Sequence, residues 1–124
     1  MSFALAKSLF SHNIKARDGH ICKRCGNPER DGNIFTKLDC AHFISCSYPN
    51  SEFSEDNCTS LCRSCHSYLH AHPKEHEAFF VDLLGEEGAQ RVRDLAYGQK
   101  VIYKTWYGSR THLKELRKRL KEFS

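Results

Sequence analysis

Apolar residues recur at helical spacing in several stretches of this chain. Phe3, Ala6, Phe10 and Ile14 predict a helix over 3–17, ended by Asp18-Gly19 with the glycine in the left-handed position after the last turn. Pro73 suits the first turn of another helix, which carries Phe79, Phe80, Leu83 and Leu84 and ends at Gly85. A shorter helix over 86–97 follows around Val92 and Leu95. A last helix over 111–123 has Leu113, Leu116, Leu120 and Phe123 as an apolar stripe. Between these lies a different pattern. Residues 35–44 predict a strand or hairpin arm, 45–56 a polar loop containing Pro49-Asn50, and 57–61 a second short strand. A helix then runs through Cys65-His66 to His70, with Ser60 or Ser64 as its N-cap. Asn27-Pro28 and Asp31-Gly32 are turn signals. Residues 98–108, with Tyr103, Trp106 and Tyr107 among Lys100 and Lys104, predict no defined element.

The chain has 124 residues, no internal repeat and no low-complexity linker, which fits one domain over 1–124. Its parts are an N-terminal helix over 1–19, a strand-containing core over 20–72 and a helical extension over 73–124. A composition of 40% hydrophobic and 27% charged residues suits a globular chain and supplies no membrane span. The first seven residues lack a charged segment followed by an apolar one, so no secretory signal is expected. We place the protein in a reducing cytoplasm.

Seven cysteines change the picture. The number is odd and thiols stay reduced in that compartment, so metal binding is a stronger reading than disulfides. Cys22-x-x-Cys25 and Cys62-x-x-Cys65 are two knuckles, and together they predict a tetrahedral zinc site made of four cysteines, with no open position. The 36 residues between them must fold with both ends clamped. Cys40, Cys46 and Cys58 remain, either as free buried thiols or with two of them in a second metal site.

The net charge of +4 is unevenly spread. Residues 100–124 carry eight Lys/Arg against two Asp/Glu, and residues 1–99 carry eleven against thirteen. A basic tail on a slightly acidic body points to an anionic partner, with nucleic acid first. Lys114, Arg117, Lys118 and Lys121 lie off the apolar stripe of the last helix and, with Arg17, are the candidate phosphate contacts. The competing reading of that helix is a solvated face.

The insert also holds a spaced set of polar residues. His42 sits in Ala41-His42-Phe43-Ile44-Ser45, Asn57 follows Glu55-Asp56, and His66 and His70 follow the second knuckle. A neutral imidazole takes a proton from water near pH 7. Asn57, on the paired strand, is placed either to support His42 or to pin the loop between the strands through backbone bonds. His66 and His70, four apart on a helix, share one face and are candidate ligands of a catalytic ion. Asp39 is the nearest carboxylate, with Asp56 and water as competitors. Strict strand alternation turns Asp39 and His42 to opposite faces unless a bulge intervenes.

The order His, Asn, His beside paired CxxC knuckles resembles the HNH endonuclease superfamily, on AHFIS, EDN and LCRSCH. A narrower resemblance is to the NinG (Rap) group of phage recombination proteins. It is carried by LFSHNIKARDGHICKRCG, DCAHFIS, EDNCTSLCRSCHSYL and HPKEHEAFFVDLLGEEGAQRVRDL. The resemblance covers nearly the whole chain and is specific over residues 20–70. It implies an α+β fold with a small ββα-metal core, clamped here by zinc and flanked by helices. It also implies divalent-metal hydrolysis of DNA phosphodiesters, with a preference for branched recombination intermediates and the host cytoplasm as location. His42 is then the general base and Asn57 its partner in the site. His66, His70 and Asp39 would hold Mg²⁺ or Mn²⁺, and two histidines would also admit Ni²⁺ or Zn²⁺. One such site cuts one strand, so duplex cleavage suggests a homodimer. Many HNH proteins carry Asp or His immediately before the base, whereas this chain has Ala41. The alternative is a non-catalytic zinc module that only binds nucleic acid.

Overall fold

The computed structural model describes residues 3–98 and 104–123, so Lys100 and Tyr103 lie outside the described residues. Helix α1 (Phe3–Arg17) buries Ala6, Phe10, Asn13 and Ile14, which all fall on one face of the helix. It ends where the sequence predicts. Gly19 (φ 71°) and His20 (φ 58°) turn left-handed, and the His20 N–H returns to the Lys15 carbonyl at 2.9 Å. That closes the helix as glycine-terminated helices commonly close.

The sheet has two strands, shorter than expected on one side. Strand β1 (Leu38–His42) is preceded by a 3₁₀ turn at Ile34–Thr36, which occupies the front of the anticipated strand. Asn33 fixes that turn by accepting the Phe35 N–H at 3.0 Å. Strand β2 (Cys58–Cys62) pairs with β1 antiparallel, from Leu38 opposite Cys62 to His42 opposite Cys58. The register is unbroken, so no bulge relaxes the alternation between Asp39 and His42. The polar connection folds into helix α2 (Pro49–Glu52) and a 3₁₀ turn at Glu55–Asn57.

Helix α3 (Arg63–Ala71) follows β2 directly. Neither of the serines expected as its N-cap serves. The Cys62 sulfur takes that place, accepting the Cys65 N–H at 3.4 Å. Helix α4 (Pro73–Ala96) starts on its proline and breaks at Gly85. Helices α5 (Lys104–Tyr107) and α6 (Arg110–Phe123) complete the chain. Among the described residues no helix is long and apolar enough to cross a membrane.

The core lies on both faces of the hairpin. Cys58 and the half-buried Cys40 pack with Ala6, Phe10 and Ile14 of α1 and with Leu116 of α6. Ala41 and Leu61 pack with Leu69 of α3 and Phe80 of α4, a cluster that reaches Cys22, Cys62 and Cys65. Ile44, Val92 and Ala96 form a third group. The fold is therefore α+β, with a two-stranded hairpin held between helices.

Arg17 has a different task from the one expected. It bonds the carbonyls of Glu55 (2.6 Å) and Cys58 (2.7 Å) and the Asp18 carboxylate (2.9 Å). Asp18 in turn accepts the Ser60 N–H at 2.8 Å and the Thr59 hydroxyl at 3.2 Å. The pair latches the end of α1 onto β2, so Arg17 is committed within the protein rather than offered to DNA phosphate.

Gly85 carries a testable cost. Its φ of 78° and ψ of 162° belong to a region essentially closed to other residues. An added Cβ there would meet nothing within 4 Å, so the penalty is conformational rather than steric. Gly85→Ala should lower stability by about 1–3 kcal/mol, read as a lower urea midpoint with an unchanged slope.

Candidate functional site

Two knuckles bring four sulfurs together. The Gly26 N–H donates to the Cys22 carbonyl at 2.8 Å, and the Cys25 N–H points at the Cys22 sulfur at 3.4 Å. The second knuckle repeats that bond between the Cys65 N–H and Cys62. All four sulfurs lie within 4.8 Å of one another, and Cys25 and Cys62 are 3.9 Å apart. Burial pushes the Cys22 thiol up, but N–H groups around it outweigh that and bring it to about 7. Burial pushes Cys62 up to about 12. Four sulfurs in so small a volume cannot all be thiolates without a cation among them. A soft, four-coordinate donor set with amide support fits a structural metal such as zinc. Arg24 closes the outside, with Nη1 3.5 Å from the Cys65 sulfur and its guanidinium over Tyr68.

His42 lies at the other end of β1. Its Nε2 is 2.9 Å from the Glu52 carbonyl oxygen. A carbonyl only accepts, so Nε2 carries the proton of the neutral ring and Nδ1 keeps the lone pair. Burial holds His42 below the usual imidazole range, and the charges of Lys7 and His66 act the same way. The ring is therefore neutral at pH 7. His76 of α4 donates from Nε2 to the His42 carbonyl at 3.2 Å and fixes the backbone at the strand end.

A groove of about 420 Å³ opens beside this histidine. It is lined by Lys7, Phe10 and Ser11 of α1, Asp39, Cys40 and His42 of β1, Glu52 and Phe53, and His66 of α3. Asp39 and His42 leave opposite faces of β1, yet both reach this groove. The Asp39 carboxylate takes His66 Nδ1 at 3.1 Å on one oxygen and Arg63 at 3.2 Å on the other.

Asn57 stands elsewhere. It is fully buried; its side-chain oxygen accepts the Ile44 N–H at 2.8 Å and its amide donates to the carbonyls of Ile44 (3.1 Å) and Ser51 (3.0 Å). All of these bonds pin the connection between the strands, which is the second of the two roles its position suggested. His70 is exposed, one turn beyond His66. Asp39, His66 and His70 do not form a three-ligand group. Among the described residues the groups that do are the four cysteines and a second set, Cys40, His42 and Cys58.

Several groove residues carry no sequence signal. Glu52 acts through its backbone carbonyl, which no side-chain motif encodes. Lys7 and Ser11 sit on α1, far from the spaced histidines, and only the packing of α1 on the hairpin brings them in.

The four-cysteine group predicts a simple result. Purified protein should carry zinc there, and Cys62→Ser should release it with loss of the fold, because structural zinc contributes about 10 kcal/mol or more. Metal analysis and circular dichroism of the two proteins check this. Compared with family models, curated proteins and solved structures, the chain matches none, so the reading of the site rests on its own residues.

Proposed function

We propose that this protein is a metal-dependent HNH-type endonuclease that hydrolyses DNA phosphodiesters, with His42 as general base. The observation that carries the reading is the placement of His42: held by one nitrogen on the Glu52 carbonyl, and lining an open groove beside a second, carboxylate-bound histidine.

The chain's own groups suffice for the proton work. His42 Nδ1 takes a proton from the attacking water, and the Glu52 carbonyl steadies the imidazolium that forms. The Asp39 carboxylate accepts from His66 Nδ1, which leaves the His66 Nε2 lone pair outward. That is how a carboxylate orients a metal-binding histidine. In this reading His66 would hold Mg²⁺ or Mn²⁺, with Asp39 as its positioning residue. Such an ion, when bound, offsets charge on the phosphate and the leaving oxygen. Lys7 adds a fixed cation to the groove wall. Ala41 packs in the core at the position where many HNH proteins place a ligand, so His66 carries more of the binding here. His70 has no part. The branched-DNA preference stays tied to the NinG-like segments.

The C-terminal helix supports a DNA partner. Leu116 and Leu113 dock α6 on α1, and Asn13 donates to the Leu116 carbonyl at 3.2 Å. Arg119 is turned inward by two bonds to Glu55 at 2.8 and 2.9 Å. Lys114, Arg117, Lys118 and Lys121 remain exposed. We infer that they hold phosphates without reading sequence.

Plasmid nicking with Mg²⁺ or Mn²⁺, with and without chelator, tests the activity. Metal-independent binding with no nicking would instead make the chain a zinc-containing DNA-binding module. His42→Ala should slow cleavage by about 10²–10⁴-fold while zinc and fold persist. A base must be unprotonated, and burial holds this one below the ordinary imidazole value of about 6.5. The acid limb of the rate should therefore fall below that value, and a limb centred above it would place the base elsewhere. Changing the four exposed cations to Gln should weaken binding to all sequences alike. It should also flatten log K against log salt by about 0.9 for each phosphate no longer neutralised, measured by salt titration.

A further inference from the structure

The second ligand group, Cys40, His42 and Cys58, is not required by the hydrolytic reading. The hairpin builds it. Cys40 and His42 are two apart on β1 and share a face, and Cys58 stands directly opposite His42 in the register. The donor atoms of all three lie within 4.8 Å of one another, the spread that also holds for the four cysteines at the opposite end of the hairpin. Cys58 is 2% exposed and belongs to the cluster with Ala6, Phe10 and Ile14. Cys40 and His42 line the groove. A buried thiol thus backs a cradle whose other two donors face an opening.

We propose that Cys40, His42 and Cys58 form a second, regulatory metal site that takes a soft or borderline ion such as Zn²⁺ and leaves one coordination position toward the groove. Two sulfurs and an imidazole select Zn²⁺ or Cu⁺ over Mg²⁺ and Mn²⁺, which prefer oxygen. Binding replaces the two thiol protons, and these leave to solvent. The ligand nitrogen is His42 Nδ1, because Nε2 donates to Glu52. The same lone pair cannot hold an ion and accept a proton from water. Zinc at this site therefore switches off the proposed base, a consequence that rests on the hydrolytic reading, whereas the binding itself does not.

The site differs from the four-cysteine group in having only three protein ligands and an open face. Its ion should be weaker and exchangeable, so that hydrolysis would respond to free zinc while the fold stays intact.

Native mass spectrometry of the whole chain in a non-thiol reductant tests binding directly. With excess Zn²⁺, wild type should carry two ions, and Cys40→Ser and His42→Gln should each carry one. Unchanged circular dichroism would show that the variants are folded. Wild type with a single zinc, or two zincs in both folded variants, would overturn the site. A second arm measures Mg²⁺-dependent nicking at rising free Zn²⁺. Wild type should lose at least tenfold in rate, and Cys40→Ser should hold its rate over that range. Equal inhibition of both proteins would overturn the regulatory role. If neither protein nicks DNA at all, the hydrolytic reading and the switch fail together, while the zinc count still decides whether the site exists.

Discussion

Four sulfurs gathered within 4.8 Å of one another form the constraint on which the hairpin and the start of α3 would depend once an ion sits among them. Cys22 and Cys25 precede the hairpin insert and Cys62 and Cys65 end it, so one ion would tie the two ends of 36 residues together. The insert contains the connection between the strands, α2 and much of the groove. Its buried apolar residues, Leu38, Ala41, Ile44, Cys58 and Leu61, all pack in clusters shared with elements outside the insert. Closing so long a loop costs entropy. A bound ion would lower that cost and fix the start of α3, since Cys62 is at once one of the four sulfurs and the cap of the helix.

From that fixed end the polar machinery is assembled by backbone carbonyls more than by side-chain pairs. Glu52 sets the tautomer of His42, Ile44 and Ser51 hold Asn57, and the His42 carbonyl receives His76. The bonds of Asn57 are fully buried, where an unmet partner would be expensive. The histidine that faces the groove is thereby held from two sides, through its ring and through its own peptide.

What sequence could and could not say follows from this arrangement. The bounds of α1, the break at Gly85 and the paired knuckles were legible because spacing and glycine act locally. The front of the expected strand over 35–44 became a 3₁₀ turn because Asn33 captures the Phe35 N–H, a local bond that alternation does not register. The cap of α3 was misassigned because a cysteine does the work of a serine. Arg17 looks like a surface cation in the sequence, but the turn at Glu55 and strand β2 each supply a carbonyl that takes it up. Asn57 sat at the right place with two roles open, and only the position of Ile44 settles its bonds. The meeting of Cys40, His42 and Cys58 needs the strand register, which the spacing of cysteines does not contain.

The Arg17–Asp18 latch has a mechanical meaning for the groove. It grips α1 at its last residue, and Lys7, Phe10 and Ser11 project from the same rod toward its free end. Lys7 is about 15 Å up the axis from the latch at roughly 1.5 Å per residue. A rotation of about 5° at that pivot would shift Lys7 by roughly 1 Å on this geometry, comparable to the tolerance of a hydrogen bond. The Arg17–Asp18 pair at the end of α1, bonded to β2, is thus one anchor of the groove wall that Lys7, Phe10 and Ser11 form, and the packing of Ala6, Phe10 and Ile14 on the hairpin is the other.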